Sequence, residues 1–170
     1  MQNAPSTDIR RAIVTDISAI MQIERQPGYE LLVGRWEADQ HFRNITDRNF
    51  RYLVADSDNG RPIAFAALSG FEKGNGLVLI NRLIVKTPGM GVGKQFLRAV
   101  MAFVFENTQT QRLWLRVVPD NTRARHVYQL LGFSDEGVLE KAGTRPDGVR
   151  VDLAVMSIQR AAWEASLPPS

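Results

Sequence analysis

The sequence predicts a mixed α/β fold in one domain, a sheet of about six to seven strands with four helices, and three observations carry that expectation. Helix-period and strand-period stretches alternate from Ile9 to Ile158 with no internal repeat or low-complexity segment between them. An apolar strand, Leu77 to Val85, runs through a glycine-rich turn into a long amphipathic helix and on to a second apolar strand, Arg112 to Val118. A helical crossover of that kind makes the two strands locally parallel, whereas the strands before them form an antiparallel meander. The 170 residues suffice for one full core, and no cysteine is present to staple a smaller one.

Each element has its own warrant. Ile9 to Val14 reads as a short strand. Thr15 or Asp16 is placed to cap a helix through about Arg25, with Ile17, Ile20, Met21 and Glu24 on one face, and Pro27-Gly28 stops it. From Glu30 to Ile45 a second helical run carries Leu32, Trp36 and Gln40 on one side, with Gly34 weakening its start. Phe50 to Ala55 is a strand, Asp58-Asn59-Gly60 a hairpin turn, and Pro62 to Phe71 the returning strand. Leu77 to Val85 is apolar at odd and even positions except Asn81 and Arg82, the pattern of a central strand covered on both faces. Val92, Phe96, Val100 and Val104 mark one face of the long helix, which ends near Asn107. Pro119 stops the next strand. Asn121 is then a good N-cap, Ala124, Val127, Tyr128 and Leu131 form one stripe, and Gly132 sits where a left-handed C-cap belongs. Phe133 to Ala142 and Val149 to Ile158 form a last hairpin, and the tail over about 160–170, with Pro168 and Pro169, is expected to fray.

Composition narrows the function classes. The segment MQNAPSTDIRR has no apolar h-region, and no uninterrupted apolar run approaches the roughly 18 residues of a membrane span, so a cytoplasmic protein with no membrane partner is expected. The absence of cysteine fits a reducing compartment. A net charge of +3 with scattered basic residues argues against nucleic acid as the main partner and suits a small phosphate-rich ligand. His41 and His126 lack the spacing of metal ligands, and no metal is expected.

The densest local signal is Pro88, Gly89, Gly91 and Gly93 between a strand and a helix start. Glycines let the main chain approach a ligand, and the helix start offers unpaired N–H groups and a partial positive charge, which together make an anion-binding turn. A Walker loop is excluded because Pro88 and Gln95 stand where its first glycine and its hydroxyl residue belong. A dinucleotide fingerprint fails too, meeting Lys94 or Phe96 at its third glycine. A tight connection with no ligand is the alternative.

The strings RLIVKTPGMGVGKQFL and RLWLRVVPDNTRARHVYQLLGF together resemble the acetyl-CoA-binding core of the GNAT superfamily of N-acetyltransferases. The second is the more specific, with Asn121, Ala124, Tyr128 and then Leu-Gly-Phe at the family's spacing. Pro88 departs from the basic or amide residue that commonly opens the turn, and the link from Val85 to Gly89 is short. The resemblance covers nearly the whole chain, with WEADQH and VDLAVMSI similar to one bacterial branch. It implies the acyl-CoA N-acyltransferase fold, splayed between the fourth and fifth strands. It implies acetyl-CoA as co-substrate, held by Leu83, Ile84 and Val85 along the splayed strand, by Gly89, Met90, Gly91, Val92, Gly93 and Lys94 at the turn, and by Asn121 and Ala124 beyond the fifth strand. Homodimerisation through the last strands is an expectation of the family alone.

The implied reaction is aminolysis of a thioester: an amine attacks, a tetrahedral intermediate needs an oxyanion donor, and the departing sulfur is better released protonated. A main-chain N–H near Leu83 or Ile84 is the expected donor, and Tyr128 matches the family's general acid, a core tyrosine being the alternative. Arg116 stands where one branch carries a glutamate base, and an arginine cannot take a proton. Glu24, Glu30, Glu37, Asp39, Glu72 and Asp152 are the carboxylates near the expected acceptor mouth, each read as solvated or capping, and a water chain is the preferred proton path. Trp36 with Leu32 either lines an acceptor pocket or belongs to the core, and Arg116 either binds an acidic acceptor or pairs with Asp120 or Asp152. The acceptor is a small-molecule or peptide amine. A sensor that binds acyl-CoA without transfer is the second reading.

Overall fold

A computed structural model describes residues 8–30, 34–89 and 91–169, and among these seven strands form one sheet in the order β1-β2-β3-β4-β5-β7-β6. The strands are β1 (Ile9–Arg11), β2 (Phe50–Asp56), β3 (Pro62–Ser69), β4 (Leu77–Val85), β5 (Arg112–Val117), β6 (Ser134–Thr144) and β7 (Arg150–Gln159). The helices are α1 (Ile17–Glu24), α2 (Ala38–Thr46), α3 (Val92–Asn107), α4 (Thr122–Leu130) and α5 (Arg160–Ser166), with a 3-10 turn over Val14–Asp16. Every strand pair is antiparallel except β4 with β5, joined by the α3 crossover as the sequence predicts.

Two layers of helix cover the sheet. On one face Phe96, Val100 and Val104 of α3 pack with Leu53, Ala66, Leu113 and Met156 of the strands and with Trp163 of α5. On the other, Ile20 and Ile23 of α1 meet Val54, Phe65 and Ile84. Because Leu53 and Ala55 face the α3 layer while Tyr52 and Val54 face the α1 layer, β2 must be apolar at consecutive positions.

Three expectations need correction. The second helix starts at Ala38 rather than near residue 30, because Glu24 accepts the Trp36 N–H at 3.3 Å and Arg25 donates to the Trp36 carbonyl at 3.0 Å, which ties the Trp36 main chain to the end of α1. Leu32, placed on that helix, lies outside the described residues. The first strand ends at Arg11, since Val14–Asp16 turns into α1. The tail is not frayed from residue 160, and α5 is a fifth helix: Trp163 stacks on Phe105 with ring centroids 5.1 Å apart. Arg160 donates to the carbonyls of Phe105, Thr108 and Thr110 at 2.8–2.9 Å, satisfying groups at the end of α3.

Candidate active site

The site begins where two strands separate. β4 and β5 pair only from Leu77↔Arg112 to Ile80↔Leu115, although both strands run on, β4 to Val85 and β5 to Val117. The departure coincides with a bulge. Against β3, Arg82 pairs with Ala67 and Ile80 with Leu68, which leaves Asn81 as an extra residue in β4. One inserted residue exchanges the faces of all that follow. Ile80 packs in the α3 layer, but Ile84 packs in the α1 layer, and Arg82, two residues before it, points the same way.

The main chain beyond the bulge faces the gap in alternation. Lys86 N–H donates to Ile63 O at 2.7 Å, so Ile84 and Arg82 turn their N–H and C=O groups toward β3, and Leu83 and Val85 turn theirs toward the gap. Of the two N–H groups named from the sequence, that of Leu83 faces the gap and that of Ile84 faces β3. The Val85 carbonyl accepts from Gln26 Nε2 at 2.7 Å and from the Tyr29 hydroxyl at 3.0 Å, so the α1–α2 connection reaches across this end of the gap.

The glycine turn and α4 flank the gap. Gly89 and Gly91 have φ of +88° and +76°, and Gly91 is the N-cap of α3, whose first-turn N–H groups at Val92, Gly93 and Lys94 precede any intrahelical acceptor. Lys94 is half-buried. Met90 lies outside the described residues. Asn121 caps α4, its Oδ1 accepting from Ala124 N–H at 3.3 Å, and Gly132 follows the helix at φ +99°. Ala124 packs against the α3-layer core. Tyr128 is 8% exposed, its ring centroid is 5.8 Å from that of Phe133, and burial pushes its phenol up to about 12.

One cavity of about 260 Å³ lies in the gap, lined by Asn81 to Ile84 of β4, Leu115 to Val118, Asn121 and Tyr128, and by Ala142 to Pro146 at the turn between β6 and β7; Val85, Gly89, Gly91 to Lys94 and Ala124 lie outside its lining. Tyr128 borders it from the α3 side of the sheet and Arg82 and Arg116 from the α1 side, Arg116 alternating with the core residues Leu115 and Val117. Among the described residues the charged side chains lining it are Arg82, Arg116 and Arg145, with no carboxylate.

Behind the arginine wall lies a buried polar chain. Glu24 is fully buried, and its Oε1 lies 3.1 Å from His41 Nε2; His41 Nδ1 lies 2.9 Å from the Tyr52 hydroxyl, which accepts from Asn44 Nδ2 at 3.4 Å. One proton arrangement satisfies every link: Nε2–H donates to Glu24, and Tyr52 O–H donates to Nδ1. Burial pushes the Tyr52 phenol up to about 12, which keeps that proton in place. The carboxylate charge is then matched by Arg82, whose Nε lies 3.6 Å from Glu24 Oε2 while its guanidinium stacks on Trp36 with Cζ 4.1 Å from the ring centroid. Burial, and the nearby Arg116 to a lesser degree, hold the Arg82 guanidinium below its ordinary pKa.

Glu24 is thus not a solvated carboxylate, and the signal was its place on the apolar stripe of α1. Glu30, Glu37, Asp39, Glu72 and Asp152 are exposed, bonded or paired with Gly28, Arg25, Arg43, Arg48 and Lys141, and none lines the cavity. Arg116 pairs with neither Asp120 nor Asp152; among the described residues its contact is the Trp114 ring, 5.8 Å from Cζ to centroid. Trp36 is both a core residue and the platform under Arg82. Arg145 escaped the sequence reading because nothing local in a hairpin turn says which way the turn folds. No group of three or more His, Cys, Asp or Glu side chains that could hold a metal ion occurs among the described residues, and no helix among them is long and apolar enough to cross a membrane.

Comparison with known proteins gives the same architecture. Residues 17–133 match the model of the Acetyltransferase (GNAT) family. A spermidine N-acetyltransferase from Vibrio cholerae in complex with CoA and spermine is similar at a TM-score of 0.80 and 18% identity, covering 95% of this chain and 99% of that one. The ribosomal-protein-S18-alanine N-acetyltransferase from Escherichia coli is similar at a TM-score of 0.74 and 20% identity, covering 89% and 92%.

Proposed function

Since this chain belongs to the acetyltransferase (GNAT) family, we propose that it transfers the acetyl group of acetyl-CoA to a primary amine by direct attack in the gap between β4 and β5. The observation that carries this reading is a single cavity bordered by Tyr128 from one side of the sheet and by Arg82 and Arg116 from the other, with Leu83 between them. The pyrophosphate takes the N–H groups of Val92, Gly93 and Lys94 at the start of α3, with Gly89 and Gly91 shaping the approach and the Lys94 ammonium at its edge. The pantetheine amides pair with the Leu83 carbonyl and the Val85 N–H as an added strand, the Val85 carbonyl being taken by Gln26 and Tyr29, with Asn121 and Ala124 on the opposite wall. Ile84 contributes its side chain to the lining, its main-chain groups being engaged toward β3.

In the reaction the amine nitrogen attacks the thioester carbon, whose oxygen takes the Leu83 N–H as oxyanion donor. The new C–N bond forms, the C–S bond breaks, and the sulfur takes the Tyr128 proton. The amine loses its own proton to water, and that proton returns through water to the phenolate. No cavity-lining carboxylate competes for the role of base among the described residues. Arg82 and Arg116 instead favour the neutral form of a nearby amine, since like charge disfavours its protonation.

The test is free-thiol release from acetyl-CoA with a broad panel of primary amines, wild type against Tyr128→Phe. At least one amine is expected to release thiol, far more slowly in the variant, with acetyl-CoA affinity unchanged by calorimetry. A Tyr128→Phe protein as fast as wild type overturns the acid assignment. Binding of acetyl-CoA with no thiol release from any amine would make the chain a sensor.

A further inference from the structure

The charge around the acceptor side of the cavity does not balance. Arg145 is matched by Asp147, with Nη2 to Oδ2 at 2.6 Å, and Arg82 by Glu24. Arg116 has no carboxylate partner among the described residues. Its exposed guanidinium projects from β5 on the α1 side of the sheet, the side that Arg82 also faces, close enough for the two cations to disfavour one another. The Arg82 Nε is buried and turned to Glu24 Oε2 at 3.6 Å, away from the cavity, so that Arg82 is already engaged as a cation while Arg116 is not. Two neighbouring cations, one of them without a carboxylate partner among the described residues, line a cavity with no anionic group of its own. The donor's phosphates do not supply the missing charge in the arrangement proposed above, because the pyrophosphate sits at the start of α3 and the arginines border the thioester end.

From this we infer that the acceptor is a small amine that also carries a carboxylate, its carboxylate bound by Arg116 with Arg82 beside it and its nitrogen turned into the gap toward Leu83. The inference rests on the transfer reading and specifies its substrate class. A planar guanidinium fork matches a carboxylate with two parallel hydrogen bonds, which also fixes the direction of the amine. A polyamine would bring positive charge against Arg82, Arg116 and Arg145. Spermine, which the similar Vibrio cholerae enzyme holds in a complex with CoA, is a polycation of that kind. The cavity volume of about 260 Å³, which the acetyl group must share, suits an acceptor of amino-acid size.

The experiment is thiol release from acetyl-CoA with matched pairs, a set of amino acids against their amides, and with spermidine as the polycationic arm. The amino acids are expected to exceed their amides in kcat/KM by roughly ten- to a hundredfold, carried mainly by KM, the range expected when one hydrogen bond to a charged group is removed. Arg116→Gln should collapse that ratio toward unity, and Arg116→Lys, which keeps the charge and loses the fork, should fall between; Arg116 is exposed, and thermal melts of both variants check the fold. Amides or spermidine turned over as well as the acids would overturn the carboxylate inference while leaving the transferase reading intact. No turnover in any arm would sink both. An undiminished acid preference in Arg116→Gln would also overturn it.

Discussion

At one end of the cleft the groups on offer are main-chain N–H and C=O, from Leu83, Val85 and the first turn of α3; at the other they are the side chains of Arg82, Arg116 and Arg145, from β4, β5 and the β6–β7 turn. The donor end is a matter of conformation. The acceptor end is a matter of charge balance. A main-chain site tolerates side-chain exchange so long as the backbone keeps its path, whereas a side-chain site tolerates small shifts of backbone but not an unmatched ion. The two ends should therefore fail in different ways.

The largest effect is expected behind the acceptor wall. Glu24→Ala leaves Arg82 without its counter-ion and His41 without its acceptor, a loss of about 3–5 kcal/mol in urea unfolding, as for one partner removed from a buried pair. A loss below about 1 kcal/mol would break the claim that this wall depends on the buried chain. Next comes Tyr128→Phe, where removal of a general acid should lower kcat by about a hundredfold or more and leave donor affinity alone. The pH profile sharpens the same point. The active phenol is the protonated form, and a value pushed up to about 12 keeps it protonated until pH rises through that range. The acceptor amine must be neutral, so kcat/KM should climb with pH toward the amine's own pKa; a falling limb between pH 7 and 9 would contradict the assignment. The smallest effect separates two glycines of the donor turn. Gly91→Ala forces a side chain into the left-handed region at φ +76° and should cost about 1–2 kcal/mol and weaken acetyl-CoA binding. Gly93→Ala, whose added carbon would meet only Val85 Cγ1 at 3.8 Å, should be close to neutral in stability.

The same contrast explains what could be read from the residues alone. The proposed donor end is legible in the residues because main-chain sites need special conformations, and glycine at 89 and 91 and the Asn121 cap are the residues that supply them. The acceptor end is legible only in part: Arg116 stands out as a ligand for an acidic acceptor or a member of an ion pair, but Arg82 turns toward α1 because of a bulge at Asn81, and Arg145 reaches the cavity through a turn fixed by the register of β6 on β7. The late start of α2 and the existence of α5 were missed for a related reason. Local helix propensity was overruled in one case by side-chain bonds from Glu24 and Arg25, and in the other the prolines at 168 and 169 masked a short helix anchored by Trp163 and Arg160.

The order β5-β7-β6 has a bearing on synthesis. β5 leaves the ribosome before β6, yet the neighbour that fills its outer edge is β7, whose last residue is Gln159. Since β4 shields the inner edge only from Arg112 to Leu115, a nascent chain halted within β6 would display β5 with its whole outer border open and its inner one open beyond Leu115, a template for stray pairing. The substrate cleft can close into shape only once nearly the entire polypeptide has emerged, so shortened products of this chain are expected to clump rather than to retain partial activity.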